Sequence, residues 1–288
     1  MDPDAVQRSL ANAWGAELML GFGSPLDLED ELVRLMNNWG VVQTYYSVYH
    51  AFQALLLAQR RARPQNHPST QTQFAAQWTD RSLDLPPFSS AVGPNGFIND
   101  GLAPRSVDLN IQSWTTCEPL TCWSLVGKAL RTTREKKLYE SEQAFRHRAR
   151  IQIKKAWNAK ERERLSQSRK PRVQPSFPLP RMTKAERLAH EQKFRQFTLI
   201  DYLYRLRIRA NYQDALMFTD GPTSADESAR VRANLIALTA STMLVHEIHI
   251  GALVGKQTFM RWIDDWVGRN DPQELTLGLR RDILDASI

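Results

Sequence analysis

The helical repeat between Val42 and Leu56 constrains the fold more than any other feature of this sequence. Apolar and aromatic side chains recur there every three or four residues, at Val42, Tyr45, Tyr46, Tyr49, Phe52, Leu55 and Leu56. This spacing is typical of an amphipathic helix with one side in the core. His50 lies beside that stripe, and an imidazole there either finds a hydrogen-bond partner in the interior or belongs to a functional site. The sequence leaves both interpretations open.

Composition indicates a folded protein. The chain has 288 residues, 42% of them hydrophobic, and eight tryptophans, which is too apolar for a disordered protein. No run approaches 18 apolar residues, so we expect no membrane-spanning segment. The acidic start at Met1 has no apolar signal region, and two cysteines, Cys117 and Cys122, are too few for a disulfide framework. We therefore expect a cytoplasmic protein.

The pattern predicts an all-α fold in five parts. Residues 1–63 are expected to form the first half of a helical bundle and 64–118 an ordered insertion with turns and short strands. Residues 119–172 are expected to be a helix that continues into a basic arm, 173–182 a proline-rich linker, and 183–288 the second half of the bundle. Gly40 is expected to end one helix before the next begins. A single helix is expected from Thr183, the first residue of a capping box, to about Ala210.

The positive charge is concentrated in one segment. Between Arg131 and Arg172 there are 15 basic and 5 acidic residues, whereas the rest of the chain carries 23 basic and 26 acidic residues. The whole positive excess behind the +7 formal charge therefore lies in the segment from Arg131 to Arg172. Such a segment is either an anion-binding surface or a solvated helix face.

Three motifs follow one another along the chain. The first is Tyr-Tyr-x-x-Tyr-His-Ala from Tyr45, the second is the Arg131–Arg134 pair, and the third is Arg-x-x-x-Asn-Tyr from Arg207 to Tyr212. This order resembles the HEPN superfamily of α-helical bundles, which bind nucleotides or RNA in prokaryotic defence and toxin–antitoxin systems. Pro-Phe-Ser at 87–89 and Arg-Thr-Thr-Arg at 131–134 resemble its longer YaaC-like branch.

The resemblance implies a bundle that binds RNA or a nucleotide, works in defence or stress response and forms a homodimer. Active HEPN ribonucleases carry an Arg-x(4–6)-His motif and need no metal. Here that spacing occurs only between Arg60 or Arg61 and His67, across Pro64 in a predicted loop, and we attribute it to chance. A tyrosine such as Tyr212 is a poor base at neutral pH. We therefore predict a non-catalytic protein, with a metal-independent ribonuclease as an alternative.

Each candidate residue has a structural alternative. For catalysis the candidates are His50, Arg207 and Tyr212, of which Arg207 could instead cap its helix and Tyr212 could be a packing anchor. Arg131 and Arg134 could bind phosphate or pair with Glu135 and Glu142. The full set of predicted phosphate- or RNA-binding residues is Arg131, Arg134, Arg146, Arg148, Arg150, Lys154, Lys155, Trp157 and Arg209.

The remaining motifs point to no cofactor. His246-Glu247-Ile248-His249 lacks the His-Glu-x-x-His spacing of a zinc helix, and no third ligand is evident, so we predict no metal site. Neither a phosphate-binding glycine loop nor a dinucleotide-binding motif occurs. The expected partner is RNA or a nucleotide. The alternative is an assembly subunit whose basic arm docks an acidic protein.

Overall fold

The computed structural model describes residues 1–21, 30–79, 91–93, 96–98, 119–208, 210, 225–271 and 276–288. Within these ranges, side chains are described for all residues except 30–35, 96–98, 119–129, 225–227 and 230. The helices are α1 Pro3–Gly21, α2 Asp30–Ala58, α3 His67–Trp78, α4 Pro119–Ser166, α5 Lys184–Glu191, α6 Leu199–Ile208, α7 Ala225–Val254, α8 Lys256–Asn270 and α9 Leu277–Ser287. A short antiparallel hairpin, β1 Ala91–Gly93 and β2 Gly96–Ile98, pairs Val92 with Phe97. The described protein is mostly helical, as the sequence predicts for an all-α fold.

Helix α2 is the centre of the core. It packs against α1 and α7 along its length and against α6 near its middle. Tyr45, Phe52 and Leu55 are fully buried there, as the apolar repeat predicts. The tyrosine-rich side of α2 is thereby held against α6, the helix that carries Arg207.

Gly40 does not end a helix, contrary to the prediction. It lies buried inside α2, where a Cβ atom would approach the Cδ1 atoms of Leu20 and Leu235 to 3.2 and 3.3 Å. Glycine costs about 1 kcal/mol of helix propensity relative to alanine. At this position it lets α1 and α7 approach the backbone of α2 closely.

Residues 67–78 form a helix inside the stretch predicted to be irregular. The side chain of Asn66 caps α3 by accepting a hydrogen bond from the Ser69 backbone N–H at 2.9 Å, and Pro68 occupies the first turn. Trp78, at the end of this helix, is fully buried.

The helix predicted from Thr183 to Ala210 is two helices. The capping box of Thr183 and Glu186 opens α5 as predicted, but the chain leaves the helix after Glu191. Phe197 then forms an antiparallel bridge to Val92, with N–O distances of 2.9 and 3.0 Å. The Asp201 carboxylate accepts a hydrogen bond from the Thr198 backbone N–H at 2.8 Å, which caps the start of α6.

The second half of α4 is held by the chain that follows it. Arg146 Nε donates to the Pro180 carbonyl at 2.8 Å, and the Arg172 N–H donates to Glu161 Oε1 at 2.7 Å. The rings of Trp157 and Phe177 meet edge to face at 6.1 Å. We call residues 145–182 the basic arm; its return segment, residues 169–182, runs beside the helix without regular secondary structure.

Within α7, Val231–Val254 is long and apolar enough to cross a membrane by length and composition alone. However, 67% of its apolar window is buried in the bundle. Burial in the bundle therefore explains the apolar composition of this segment, which is a core helix of the fold.

Candidate functional site

Arg207 lies in a cradle of tyrosine rings. Its guanidinium carbon is 5.5, 5.3 and 5.6 Å from the ring centroids of Tyr45, Tyr46 and Tyr204. Tyr204 and Arg207 are one turn apart on α6, and Tyr45 and Tyr46 come from the facing helix α2. These distances are within the range of cation–π attraction. We call Tyr45, Tyr46, Tyr204 and Arg207 the tyrosine cradle.

The Arg207 guanidinium has no carboxylate partner within the described part of the chain. The side chain is only 9% exposed, and its Nε–H is buried without a hydrogen-bond acceptor. Burying a charge without a counter-charge is costly, and cation–π contacts compensate only about 0.5–2 kcal/mol each. A bound anion would supply the missing partner. Arg207 lies in the last turn of α6, as the capping alternative has it, but its side chain also lies among the tyrosine rings.

His67 adjoins the tyrosine cradle, although its spacing from Arg60 and Arg61 was attributed to chance. The Tyr45 hydroxyl and His67 Nδ1 are 2.6 Å apart, and the imidazole centroid lies 5.2 Å from the rings of Tyr49 and Tyr204. Burial, and then the positive charge of Arg207, lower the pKa of His67, while burial raises the pKa of Tyr45. The phenol therefore keeps its proton and the imidazole is neutral, and the two groups share one hydrogen bond between the Tyr45 hydroxyl and His67 Nδ1.

His50 lies at the edge of the cradle. Its half-buried ring stacks on Tyr46 with centroids 6.0 Å apart and an interplanar angle of 24°, and it meets Tyr49 edge on at 5.4 Å. Burial, and then Arg63, lower its pKa to about 4, and its Nδ1 is buried without a partner. Tyr46 contacts both His50 and Arg207. The Nδ1 atom of His50 therefore lacks the interior hydrogen bond that the first interpretation expects. Its ring contacts Tyr46 and Tyr49 but not Arg207.

A second buried arginine, Arg134, belongs to the helix packed against α6. Arg134 is 9% exposed, and its Nε and Nη2 atoms have no hydrogen-bond partner. Glu142 pairs instead with Arg187 at 3.4 Å, so the predicted alternative of an Arg134–Glu142 pair is wrong. Arg131, its predicted partner in phosphate binding, is exposed. Helices α4 and α6 thus each carry a buried, incompletely satisfied guanidinium.

The predicted residues of the basic arm are mostly at the surface. Arg148, Arg150, Lys154 and Lys155 are exposed, whereas Arg146 is tied to the Pro180 carbonyl. Trp157, the residue predicted to stack on a base, is half-buried and meets the Phe177 ring edge to face. Arg209 and Tyr212 lie outside the described residues.

A buried ion network was not foreseen. Arg280 is bound by both carboxylate oxygens of Glu17 and of Glu247 at 2.6–2.7 Å, and Trp14 Nε1 donates to Glu247 at 2.7 Å. We call Trp14, Glu17, Glu247 and Arg280 the ion network. Burial alone would lower the pKa of Arg280, but the two carboxylates together raise it. Burial raises the pKa of Glu17, because the single guanidinium only partly offsets the desolvation of two acids.

His246, the first histidine of the dismissed metal motif, is buried among aromatic rings. Its Nδ1 donates to the Thr242 carbonyl at 2.7 Å, and its ring centroid lies 5.2 Å from that of Trp78 and 6.1 Å from that of Phe52. The rings of His249 and Trp78 are nearly perpendicular, with their centroids 5.6 Å apart. Both imidazoles therefore act in packing within the described part of the bundle, where His, Cys, Asp and Glu side chains form no group of three suited to a metal.

Comparison of the chain with protein-family models, with curated proteins and with solved structures gave no match.

Proposed function

We propose that the tyrosine cradle binds a phosphate group of RNA or of a nucleotide, without cleaving it. The observation that carries this proposal is Arg207, a buried guanidinium held by three aromatic rings and lacking a carboxylate partner in the described residues. A phosphate would accept the hydrogen bonds that the Arg207 guanidinium can still donate. Such charge-assisted hydrogen bonds are each about twice as strong as neutral ones. Following the HEPN resemblance, we place the protein in a bacterial defence or stress-response system.

Binding is favoured over cleavage by the state of the two histidines. A general base needs a free lone pair on a neutral imidazole. We take the Tyr45 hydroxyl as the donor in its 2.6 Å hydrogen bond to His67 Nδ1, an assignment that occupies this lone pair and leaves the N–H at Nε2. The pKa of His50 is lowered to about 4, so its imidazole is a weak base at neutral pH. A metal-independent ribonuclease remains the alternative activity, and it would have to displace Tyr45 from His67.

The test is equilibrium binding of a labelled RNA trinucleotide to wild-type protein, to Arg207→Gln and to Arg205→Gln. Arg205 is two residues away on α6 but pairs with Glu140 at 3.4 Å, so it controls for the loss of one positive charge on this helix. We expect Arg207→Gln to weaken binding by about 10- to 100-fold, the equivalent of one or two charged hydrogen bonds. Arg205→Gln should change the affinity less than about threefold.

Equal affinity of the wild type and Arg207→Gln would refute the site, and so would a wild type that binds no trinucleotide. The same samples, together with His67→Gln, are run on a gel with and without a chelator. Cleavage that survives the chelator and is lost in His67→Gln would replace the binding proposal by the ribonuclease. Intact RNA in every sample supports it.

A further inference from the structure

We propose that the ligand is a single-stranded RNA chain that enters the tyrosine cradle at one phosphate and continues along the outer face of the basic arm. This inference rests on the proposed function, since it takes the cradle as the anchor point. The proposed ligand is a polynucleotide rather than a mononucleotide, and a flexible single strand rather than a duplex.

The outer face of the arm carries a regular line of cations. Arg148, Lys155 and Arg162 are exposed and are separated by seven residues each, which is two helical turns or about 10.5 Å. They lie on the side of the helix roughly opposite Arg146 and Trp157, the residues that hold the return segment. No ion pair neutralises the three cations within the described chain. We call them the basic stripe.

The stripe is fixed before any ligand binds. The return segment bonds to α4 at both ends, through Arg146 to Pro180 and through Glu161 to Arg172. Prolines 171, 175, 178 and 180 further limit its conformations. A binding surface that is already ordered loses little conformational entropy when the ligand arrives.

The exposed apolar side chains of the arm argue against an acidic protein as the occupant. A protein interface needs an apolar centre surrounded by polar residues. On the helix of the arm, Ile151 and Ile153 are 52% and 48% exposed but project about 200° apart, and Leu165 lies four turns away from Ile151. Phe145, at the start of the arm, is 38% exposed, and Val173, on the return segment, is 94% exposed. The helix of the arm therefore offers a line of charge with scattered apolar side chains, which suits a phosphate backbone.

The cradle selects for an unpaired strand. Arg207 is 91% buried behind aromatic rings, and a stiff, wide duplex cannot bring a phosphate to it without displacing them. A flexible strand can insert a phosphate, and its neighbouring base can lie on the half-buried rings of Tyr46 and His50. Stacking of bases on such rings is how proteins bind single strands without sequence preference.

The length of the arm matches a polymer rather than a mononucleotide. The Arg205–Glu140 pair marks where α6 meets α4. From residue 140 to residue 162 the helix extends about 33 Å, which corresponds to roughly ten nucleotides of a stacked strand. A mononucleotide could occupy the cradle but would leave the stripe uncovered.

The experiment compares a labelled trinucleotide with a labelled single strand of about twenty nucleotides over a salt series. The proteins are the wild type, the triple variant Arg148→Gln, Lys155→Gln, Arg162→Gln, and a control triple variant Arg8→Gln, Arg261→Gln, Arg269→Gln. The control removes the same charge from exposed positions on α1 and α8. Circular dichroism checks that all three are equally helical.

We expect the wild type and the control to bind the long strand at least about 100-fold more tightly than the trinucleotide. The stripe variant should lose this preference, with an affinity for the long strand about 100-fold lower near 0.1 M salt and a salt slope reduced by about 2. Its affinity for the trinucleotide should be unchanged.

Three results would overturn the inference while leaving the cradle proposal intact. These are equal affinity for short and long strands, an unaffected stripe variant, and equal binding of a duplex of the same length. Displacement of the long strand by polyglutamate of equal charge at equal concentration would reassign the arm to an acidic protein. Failure of the trinucleotide to bind at all would refute the cradle proposal itself.

Discussion

Two buried arginines at different places in the bundle have opposite surroundings. Arg280 is 1% exposed, and all three of its guanidinium nitrogens bond to Glu17 or Glu247. Arg207 is 9% exposed and is surrounded by tyrosine rings, with its Nε–H unpartnered. Both arginines are buried cations, yet within the described residues only Arg280 has the carboxylates that a buried cation requires.

Under our proposal, this is the difference between a structural arginine, Arg280, and a ligand-binding arginine, Arg207. Arg280 joins α9 to α1 and α7, and its partners are present in the folded chain. Arg207 joins α6 to α2 through aromatic rings, which attract a cation without saturating its hydrogen bonds. Under our proposal, a phosphate accepts the hydrogen bonds that Arg207 does not make to the described residues. The contrast predicts a large loss of stability on substitution of Arg280 and a small change on substitution of Arg207.

The largest effect is expected at Arg280. Replacing it with Met should lower the free energy of unfolding by about 3–5 kcal/mol, because two carboxylates remain buried without their cation. Urea denaturation measures the loss. The matched control is the neighbouring Arg281→Met, which removes an ion pair with Asp264 from a side chain that is 41% exposed and should cost at most about 1 kcal/mol.

If Arg280→Met is no less stable than Arg281→Met, the ion network does not stabilise the fold. Adding Glu17→Gln and Glu247→Gln to Arg280→Met should restore part of the lost stability, since the uncompensated charges then disappear. A triple variant as unstable as the single one would mean that lost packing explains the effect.

The second effect concerns pH and His246, which neighbours Glu247 on α7. Burial lowers the pKa of His246 to about 4, from an ordinary value of 6.5. The unfolded chain therefore takes up the proton first as the pH falls, so the folded state loses stability between pH 6.5 and 4. The total loss from this group is at most about 3 kcal/mol. Denaturation at pH 7 and at pH 5 should show part of it.

His246→Phe removes the titrating group and keeps an aromatic ring among Phe52, Phe74 and Trp78. The difference between wild type and variant isolates His246 from Glu17, whose raised pKa acts in the opposite direction. We expect the variant to lose less stability than the wild type on going from pH 7 to pH 5. Parallel losses would show that His246 takes up its proton without penalty in the folded protein.

Local periodicity explains which parts of the fold could be predicted. The apolar repeat of α2 lies within one helix, and Thr183 and Glu186 lie three residues apart, so both could be read from neighbouring residues. Arg207 was identified from a local motif as well. The break before α6 also had a local signal, the Thr198-x-x-Asp201 cap, which the prediction of one long helix overlooked.

Other features depend on contacts that the sequence does not show. Glu17 and Arg280 are 263 residues apart, and nothing near either of them distinguishes a buried acid or base from a surface one. His67 was dismissed because Pro64 suggested a loop. Asn66 and Pro68 are in fact a helix start, and α3 brings His67 to Tyr45, 22 residues away along the chain.

The smallest effect on stability is expected at Arg207, and it tests the comparison most directly. Arg207→Gln removes cation–π contacts worth about 0.5–2 kcal/mol but also removes the cost of burying an unpaired charge. We therefore expect the free energy of unfolding to change by less than about 1 kcal/mol, in either direction, as measured by urea denaturation without ligand. A loss as large as that of Arg280→Met would make Arg207 a structural residue and would remove the reason for assigning it a phosphate. A small change together with weaker RNA binding would mean that the bundle keeps this guanidinium buried for its ligand, because the folded chain itself gains almost nothing from it.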